Sequence, residues 1–318
     1  MPAGFLVLLL AALLRLPVLL HAPSYEFIVN APFSGFLFNF LKTVPDTWLW
    51  SYALAGALVV VQGYMLNYTV SKHDILYKDT FLPGLFYVLI CSLFPEQLQL
   101  TPQLISNTFL VMVFQRMCYI YESDNPLLMV FDAGMYLGMG IMFNYDLFVF
   151  LPFILAGVVI FTSFNLRFII ISLLGILLPL YFTAVFFYLT NRLEEVLQMV
   201  KAGFVSFGYL PAISDFKVLA PWLIIFPVAL IGAFNLQQNF FRNKVKTRRI
   251  TQSIGLPFVF GVLSLFIENS NMLYAFFYMD IALAIVLAYY FISTKRFILK
   301  EIIFYSLLAM AVYAQLRQ

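Results

Sequence analysis

Residues 167–190 read RFIIISLLGILLPLYFTAVFFYLT, a single arginine followed by 23 residues without a charge. At about 1.5 Å of rise per helical residue, such a run reaches about 35 Å, which exceeds the roughly 30 Å hydrocarbon core of a bilayer. Apolar runs of this kind recur along the chain, which is 63% hydrophobic and 10% charged and has a mean hydropathy of +0.95. The sequence therefore predicts an all-α, polytopic transmembrane helix bundle.

The apolar runs divide the chain into about eleven predicted spans. They lie near residues 4–20, 47–70, 81–94, 103–121, 126–143, 146–162, 167–190, 218–241, 254–268, 272–293 and 301–316. The third and ninth are short, so either could be a re-entrant element. Pro152, Pro179 and Pro227 fall inside spans, where we expect kinks. The first run has no basic residue before it and contains Arg15, so we interpret it as an uncleaved first helix. No polar stretch is long enough for a soluble domain, and residues 1–318 are expected to form a single integral membrane domain.

Lysine and arginine set the expected orientation. If the N-terminus is cytoplasmic, inner loops and inner helix ends carry twelve of the 18 basic residues, five of them in the run at 242–249. This bias favours a protein of the inner, cytoplasmic membrane with its N-terminus inside and its C-terminus in the periplasm. The same basic run is interpreted as a topology signal that touches anionic lipid, and no nucleic-acid partner is expected at a net charge of +3.

The two longest connections, about 21–46 and 191–217, then both fall on the outer side. Each contains an apolar, aromatic stretch, at 31–41 and 196–209, with the spacing of a helix that lies in the membrane interface. Any chemistry is therefore expected at the outer surface, although both loops could equally be plain connectors with amphipathic anchors.

Two ionisable residues near the opposite, inner side are expected to pair. Arg116 and Asp132 both lie roughly 8–9 Å inside spans that a tight loop joins. Because a lone charge inside a span is costly, we predict an ion pair between them, more often a structural clamp than a proton or ligand site. Gly134 and Gly138 follow on the same helix and predict a small-residue face against another helix of this chain.

A second polar set gathers toward the outer leaflet. Arg15 lies about 8 Å and Asp280 about 12 Å below the outer ends of their spans. The others lie at or just outside that boundary: His21, Glu26, Asp146 and Glu268. A carboxylate there could act as a general base and an arginine could hold a phosphate, whereas independent interface residues are the alternative. No metal and no cofactor are predicted, because the two histidines, His21 and His73, fall on opposite sides of the expected membrane.

The N-terminal part of the chain resembles the membrane module of C-type glycosyltransferases. The resemblance rests on a first span ending in Arg15-Leu-Pro17, an outer loop with Glu26 and an interfacial helix, and on the stretch from Phe131 through Asn144-Tyr-Asp146 to Leu151-Pro152. It implies a C-type-glycosyltransferase-like arrangement and a polyprenyl-phosphate-linked sugar as ligand, with Glu26 at the place of the catalytic base and Arg15 at that of the polar residue before it. From the outer-leaflet polar set, Asp146 is a second catalytic candidate, and Arg15, His21, Glu268 and Asp280 are ligand-binding candidates. The chain departs from the family by having no Asp-Glu pair in that loop and no large outer domain.

A broader likeness covers most of the chain and is to an uncharacterised family of bacterial polytopic membrane proteins. It is carried by Leu82-Pro-Gly84, Phe94-Pro-Glu96, Thr101-Pro-x-Leu-Ile-x-Asn107 and Gly175-x-x-x-Pro179. Three functions therefore stay open. They are a glycosyltransferase-like protein that binds a lipid-linked sugar, a non-catalytic subunit of a cell-envelope complex with a protein partner, and a transporter.

Overall fold

The computed structural model describes residues 2–21, 31–43, 47–94, 97–162, 164–194, 197–198, 200, 216–238, 245–266 and 276–316. The helices are α1 (Pro2–His21), α2 (Pro32–Leu41), α3 (Thr47–Lys72), α4 (Leu82–Ile90), α5 (Pro102–Tyr119), α6 (Pro126–Phe143), α7 (Leu151–Thr162), α8 (Leu166–Leu189), α9 (Phe216–Gln238), α10 (Val245–Ser264), α11 (Asp280–Ser293) and α12 (Phe297–Leu316). Two 3-10 turns, Tyr145–Phe150 and Phe276–Met279, lead into α7 and α11. No strand occurs within these ranges, so the described chain is all-α.

Six described helical segments are long and apolar enough to cross a membrane. They are Leu49–Lys72, Pro126–Phe143, Tyr145–Thr162, Leu166–Leu189, Ala220–Gln238 and Phe276–Ser293. Helices of this length satisfy their own backbone hydrogen bonds in lipid. The chain is therefore a membrane protein with several spanning helices, while the total of eleven spans stays a prediction.

Burial separates central helices from peripheral ones. In the segment that contains α11, 78% of the apolar window is buried, against 28% in α8 and 22% in α9. A helix at the centre of a bundle is covered by its neighbours on every side, whereas the lipid-facing side of a peripheral helix remains exposed even when the whole helix is apolar. Helix α11 packs on α4 and α9, and α4 also packs on α3, so α4 and α11 form the centre of the bundle.

The small-residue face predicted on α6 is confirmed, and its partner is α8. A side chain at Gly138 would place its Cβ 2.6 Å from the carbonyl oxygen of Ile176, and one at Gly134 would meet the backbone of Ser172. Gly175 on α8 packs in the same way against Phe131. Only glycine lets two helix backbones approach this closely, as in the small-xxx-small packing of membrane helices.

One predicted kink is wrong. Pro152 is the second residue of α7, after the 3-10 turn Tyr145–Phe150, so it starts a helix at a position where the missing amide is not needed. Pro179 and Pro227 do lie inside helices, α8 and α9. The short span predicted at 81–94 is helical only as α4, which ends at Ile90.

Of the two predicted interfacial stretches, the first forms α2. Its Phe33 packs edge-on against Phe187 and also contacts Phe143 and Phe186, with ring centroids 6.1–6.5 Å apart. Helix α2 therefore docks on the ends of α6 and α8. Most of the second stretch, 196–209, lies outside the described residues.

Candidate functional site at a broken helix

Helix α4 is too short to cross a bilayer. Its nine residues reach about 13.5 Å. The chain continues as residues 91–100, described at 91–94 and 97–100, in turns rather than helix, and we call this the broken-helix segment. Cys91, Phe94 and Leu98 in it are buried at 2% exposure or less. Because irregular backbone at membrane depth needs partners from protein or water, this segment is where polar side chains are expected.

Arg15 of α1 supplies two of those partners. Its Nη1 donates to the carbonyl oxygen of Leu98 at 2.9 Å and its Nη2 to that of Gln97 at 3.4 Å. Ser51 of α3 supplies another, since its Oγ accepts a hydrogen bond from the amide of Leu100 at 3.1 Å. Arg15 is 6% exposed, and its Nε has no partner among the described residues. Two of the three guanidinium nitrogens of Arg15 therefore bind the backbone of the broken-helix segment, and the third has no partner among the described residues.

Asp280, the first residue of α11, approaches the same segment from the other side. It is 1% exposed, and its Oδ2 lies 3.3 Å from both Cys91 Sγ and Gln97 Nε2, which donate to it. Gln97 therefore connects Asp280 to Arg15, because its backbone carbonyl accepts from the guanidinium while its side chain donates to the carboxyl group.

The polar network continues into α3 and α5. Tyr87 donates to Gln62 Oε1 at 2.6 Å and accepts from Asn107 Nδ2 at 2.8 Å. Gln62 Nε2 in turn donates to Thr108 Oγ1 at 2.6 Å. A chain of neutral hydrogen-bonding groups thus runs beside α4 through the centre of the bundle.

Several buried polar atoms around the broken-helix segment make no hydrogen bond to a described residue. They are Arg15 Nε, Gln97 Oε1, Gln103 Oε1 and Nε2, Asn107 Oδ1, Trp222 Nε1 and Gln315 Oε1. Gln315 reaches the segment through the carbonyl of Ser92 at 3.5 Å, and the Trp222 ring lies 6.0 Å from that of Phe94. An unpaired buried polar group costs on the order of 1–3 kcal/mol in proteins. Groups of this kind from four helices are suited to holding water or a small polar ligand.

A second polar cluster surrounds Asp146. Asn144 Nδ2 lies 3.4 Å from Asp146 Oδ2 and 2.6 Å from the hydroxyl of Tyr278. Tyr278 is two residues before Asp280, in the 3-10 turn that leads into α11. The fold therefore brings Arg15 and Asp280 to the broken-helix segment, whereas Asp146 is linked through Asn144 to Tyr278, two residues before Asp280.

Three of the predicted site residues cannot be placed. Glu26 and Glu268 lie outside the described residues, and His21 ends α1 with a side chain that is also outside them. The proposed base and its distance from Arg15 therefore stay predictions.

Arg116 and Asp132 lie far from this site. Arg116 Nε is 3.5 Å from Asp132 Oδ2, and its guanidinium also reaches the Tyr136 hydroxyl at 3.4 Å and Met129 Sδ at 3.8 Å. Arg116 is 14 residues after Pro102, about 21 Å along α5 from the broken-helix segment. The pair joins α5 to α6.

A further polar group at that end was not predicted from the sequence. His73 follows α3, is fully buried, and places its Nδ1 3.3 Å from Glu122 Oε2, while Lys246 pairs with the same carboxylate. Burial, helped by the positive charges of Lys246 and Lys72, lowers the pKa of His73 to about 4. The imidazole is therefore neutral at neutral pH, and it lies against Glu122 of the loop after α5 without a hydrogen bond to a described residue, while Glu122 joins that loop to α10 through Lys246.

The site residues that the sequence did not indicate are mostly neutral. Cys91 was interpreted as a small apolar residue, and Gln97, Tyr87 and Tyr278 were not singled out. A count of amide and hydroxyl side chains inside apolar runs would have found Gln62, Gln97, Gln103 and Asn107. Among the described residues, no three His, Cys, Asp or Glu side chains are grouped as a metal would require.

The comparison with known proteins agrees with the broader of the two resemblances. No curated protein and no solved structure matches the chain. One family description does, and it covers residues 24–318, a range that includes the broken-helix segment, Asp146 and Asp280 but begins after Arg15. The chain belongs to this family, which is described as a family of unknown function (DUF6427).

Proposed function

We propose that this chain is an integral inner-membrane protein of the cell envelope that binds the phosphate of a polyprenyl-phosphate-linked sugar in its outer half, in the manner of a C-type glycosyltransferase. The observation that carries the proposal is the buried Arg15 beside the broken helix, with an Nε–H that no described group accepts. A guanidinium with one free edge in a low-dielectric site is suited to a phosphate oxygen.

The position of Arg15 in the chain supports this assignment. Arg15 lies six residues before the end of α1, and the first long loop, which carries Glu26, follows directly. A ligand phosphate at Arg15 would have its sugar toward that loop, where Glu26 would act as general base. His21, Glu268 and Asp146 are the further candidates around the sugar. Asp280 would orient Gln97 and, through it, the segment that Arg15 contacts.

A second candidate function is a non-catalytic subunit of an envelope complex. It is favoured by the other two nitrogens of Arg15, which already bond to the carbonyls of Gln97 and Leu98, and by Asp280, which already accepts two hydrogen bonds. In that case these ionisable groups stabilise an irregular segment and the protein acts through a partner. A transporter is a third candidate, because discontinuous helices with polar groups often mark transport sites.

Mass spectrometry of the gently extracted protein tests the leading candidate. We expect a lipid of polyprenyl-phosphate mass to co-purify with the wild type and with Arg192→Ala, an exposed outer-loop control, and to be lost from Arg15→Ala. A partner protein recovered in stoichiometric amount, with ordinary phospholipid only, would favour the second candidate instead.

A second variant keeps this test informative if Arg15→Ala fails to fold. Glu26→Gln should fold normally and retain the lipid, because a base does not hold the phosphate, while transfer from a lipid-linked sugar is abolished. Full transfer activity in Glu26→Gln would contradict the assignment of Glu26 as the base.

A further inference from the structure

The carboxyl group of Asp280 is surrounded by hydrogen-bond donors. Asp280 begins α11 and is 1% exposed, and the end of α4 at Ile90 lies next to it through Cys91. Its Oδ2 accepts from the Cys91 thiol and from the side-chain nitrogen of Gln97, each at 3.3 Å. A neutral carboxylic acid would need an acceptor for its own proton, whereas both described partners donate. The surroundings of Asp280 are therefore those of a carboxylate.

The negative charge of this carboxylate has no counter-ion within the described chain. No lysine, arginine or histidine nitrogen of the described residues lies within ion-pair distance of it. Arg15 binds the backbone carbonyls of Gln97 and Leu98 instead. The N-terminus of α11 offsets only about half a unit of charge. Because a buried carboxylate in a membrane protein is costly unless it is paired, we expect a cation from solution at Asp280.

Amide oxygens are available beside the carboxylate. Gln97 uses its side-chain nitrogen on Asp280, which fixes the orientation of the amide, and its Oε1 has no partner among the described residues. Gln315 of α12 shows the same arrangement, because its Nε2 donates to the carbonyl oxygen of Ser92 at 3.5 Å while its Oε1 has no described partner. Both glutamines are buried. The broken-helix segment is thus lined by neutral carbonyl oxygens that suit a cation or a hydrogen-bond donor.

The ligands and the charge favour sodium among the cations. Carboxylate and carbonyl oxygens are ligands for hard cations, and the described His, Cys, Asp and Glu side chains form no group of three that a transition metal would use. One carboxylate balances a monovalent ion, whereas a divalent ion would leave a buried positive charge near Arg15. Broken membrane helices bind sodium through such oxygens and through the negative C-terminal end of a half-helix, which α4 provides at Ile90.

We propose that a sodium ion binds at the break after α4, with the Asp280 carboxylate, Gln97 Oε1 and Gln315 Oε1 as its side-chain ligands. Gln97 Oε1 is bonded to the same carbon as the nitrogen that reaches Asp280, so one ion can contact both the amide oxygen and the carboxylate. The ion would join α11 and α12 to the broken-helix segment. The proposal does not rest on a phosphate site at Arg15, which contacts only backbone carbonyls of the segment.

Binding of radiolabelled sodium to the purified protein in detergent tests the proposal, together with thermal unfolding in sodium chloride and in choline chloride at equal ionic strength. The wild type should bind one sodium ion per chain and unfold at a higher temperature in sodium, because a ligand that binds only the folded state stabilises it. Asp280→Asn should abolish both effects. Asp146→Asn is the matched control, since Asp146 is also a buried carboxyl group with an amide donor, and it should keep both.

Two further measurements keep the test informative if Asp280→Asn fails to fold. Gln97→Met removes the amide oxygen and the donor to Asp280, and it should lower the sodium affinity about 10–100-fold. In the wild type, sodium should slow the reaction of Cys91 with N-ethylmaleimide, while Cys118, which is also buried, serves as the internal control. Equal unfolding temperatures in the two salts with no sodium bound would overturn the proposal. A stability that depends on pH but not on sodium would overturn it as well, because Asp280 would then bind a proton.

Discussion

Replacing Asp132 by leucine tests the ion pair between α5 and α6. The change leaves Arg116 with the Tyr136 hydroxyl and Met129 Sδ as its partners. At the observed 3.5 Å and an effective dielectric constant of about 20, the gross attraction is about 5 kcal/mol. Desolvation of both groups opposes it, and because 33% of the arginine and 19% of the aspartate side chain are exposed, we expect a net loss of about 1–2 kcal/mol.

A double-mutant cycle isolates this interaction. Unfolding of the purified protein by titration with sodium dodecyl sulfate in mixed micelles gives the free energy for Asp132→Leu, Arg116→Leu and the double variant. We expect the double variant to recover much of the loss of Asp132→Leu, because neither charge is then left alone in lipid. Asp124→Leu, in the exposed loop between the two helices, is the control and should change the stability by less than about 0.5 kcal/mol. Additive penalties from the two single changes would refute the reasoning.

Three further predictions concern packing, pH and a helix cap. Gly138→Ala should destabilise the protein by about 1–3 kcal/mol, because the new Cβ would lie 2.6 Å from the carbonyl oxygen of Ile176. Gly255→Ala should not destabilise it, because a Cβ there would meet no atom within 4 Å, and thermal unfolding in detergent compares the two variants. The pKa of His73 is about 4 in the folded protein and near 6.5 in the unfolded chain, so the unfolded chain binds the proton first as the pH falls. The free energy of unfolding should therefore decrease by on the order of 2–3 kcal/mol between about pH 6.5 and pH 4. A His73→Gln variant that loses the same amount of stability over that range would contradict this. Thr101→Ala removes the side chain that accepts a hydrogen bond from the first turn of α5 and should cost about 1 kcal/mol in the same melts; an unchanged midpoint would show the cap to be irrelevant.

The pattern of apolar runs predicted the long helices well, because crossing a membrane requires hydrophobicity along the whole segment and not at particular positions. Residues 167–190 and α8 agree within one residue at each end, since lipid requires a continuous helix there. The prediction was less accurate where the buried chain is not a continuous helix. The run 81–94 is apolar throughout, so its composition gives no sign that α4 ends at Ile90. The turns that follow are stabilised by polar side chains from other helices, which the local sequence does not show.

The candidate site could be predicted in part for a similar reason. Arg15 and Asp280 were visible from the sequence, since a charge inside a span must have a partner. Their partners were not visible, because Leu98 contributes a backbone carbonyl and Gln97 a neutral amide from a distant segment. Helical spacing did predict the approach of Arg116 to Asp132, because a tight loop makes α5 and α6 neighbours along the chain.

The dependence of the broken-helix segment on distant helices has a consequence for biogenesis. During synthesis Arg15 and Ser51 precede the segment, whereas Asp280 and Gln315 are made about 180 and 220 residues after it. Because unsatisfied buried polar groups are unfavourable in lipid, the Cys91 and Gln97 side chains and the Ser92 carbonyl obtain these partners only when the last helices have entered the membrane. A chain that stops before α11 would expose an incompletely bonded segment to membrane quality control, so assembly of this protein is completed from its C-terminal end.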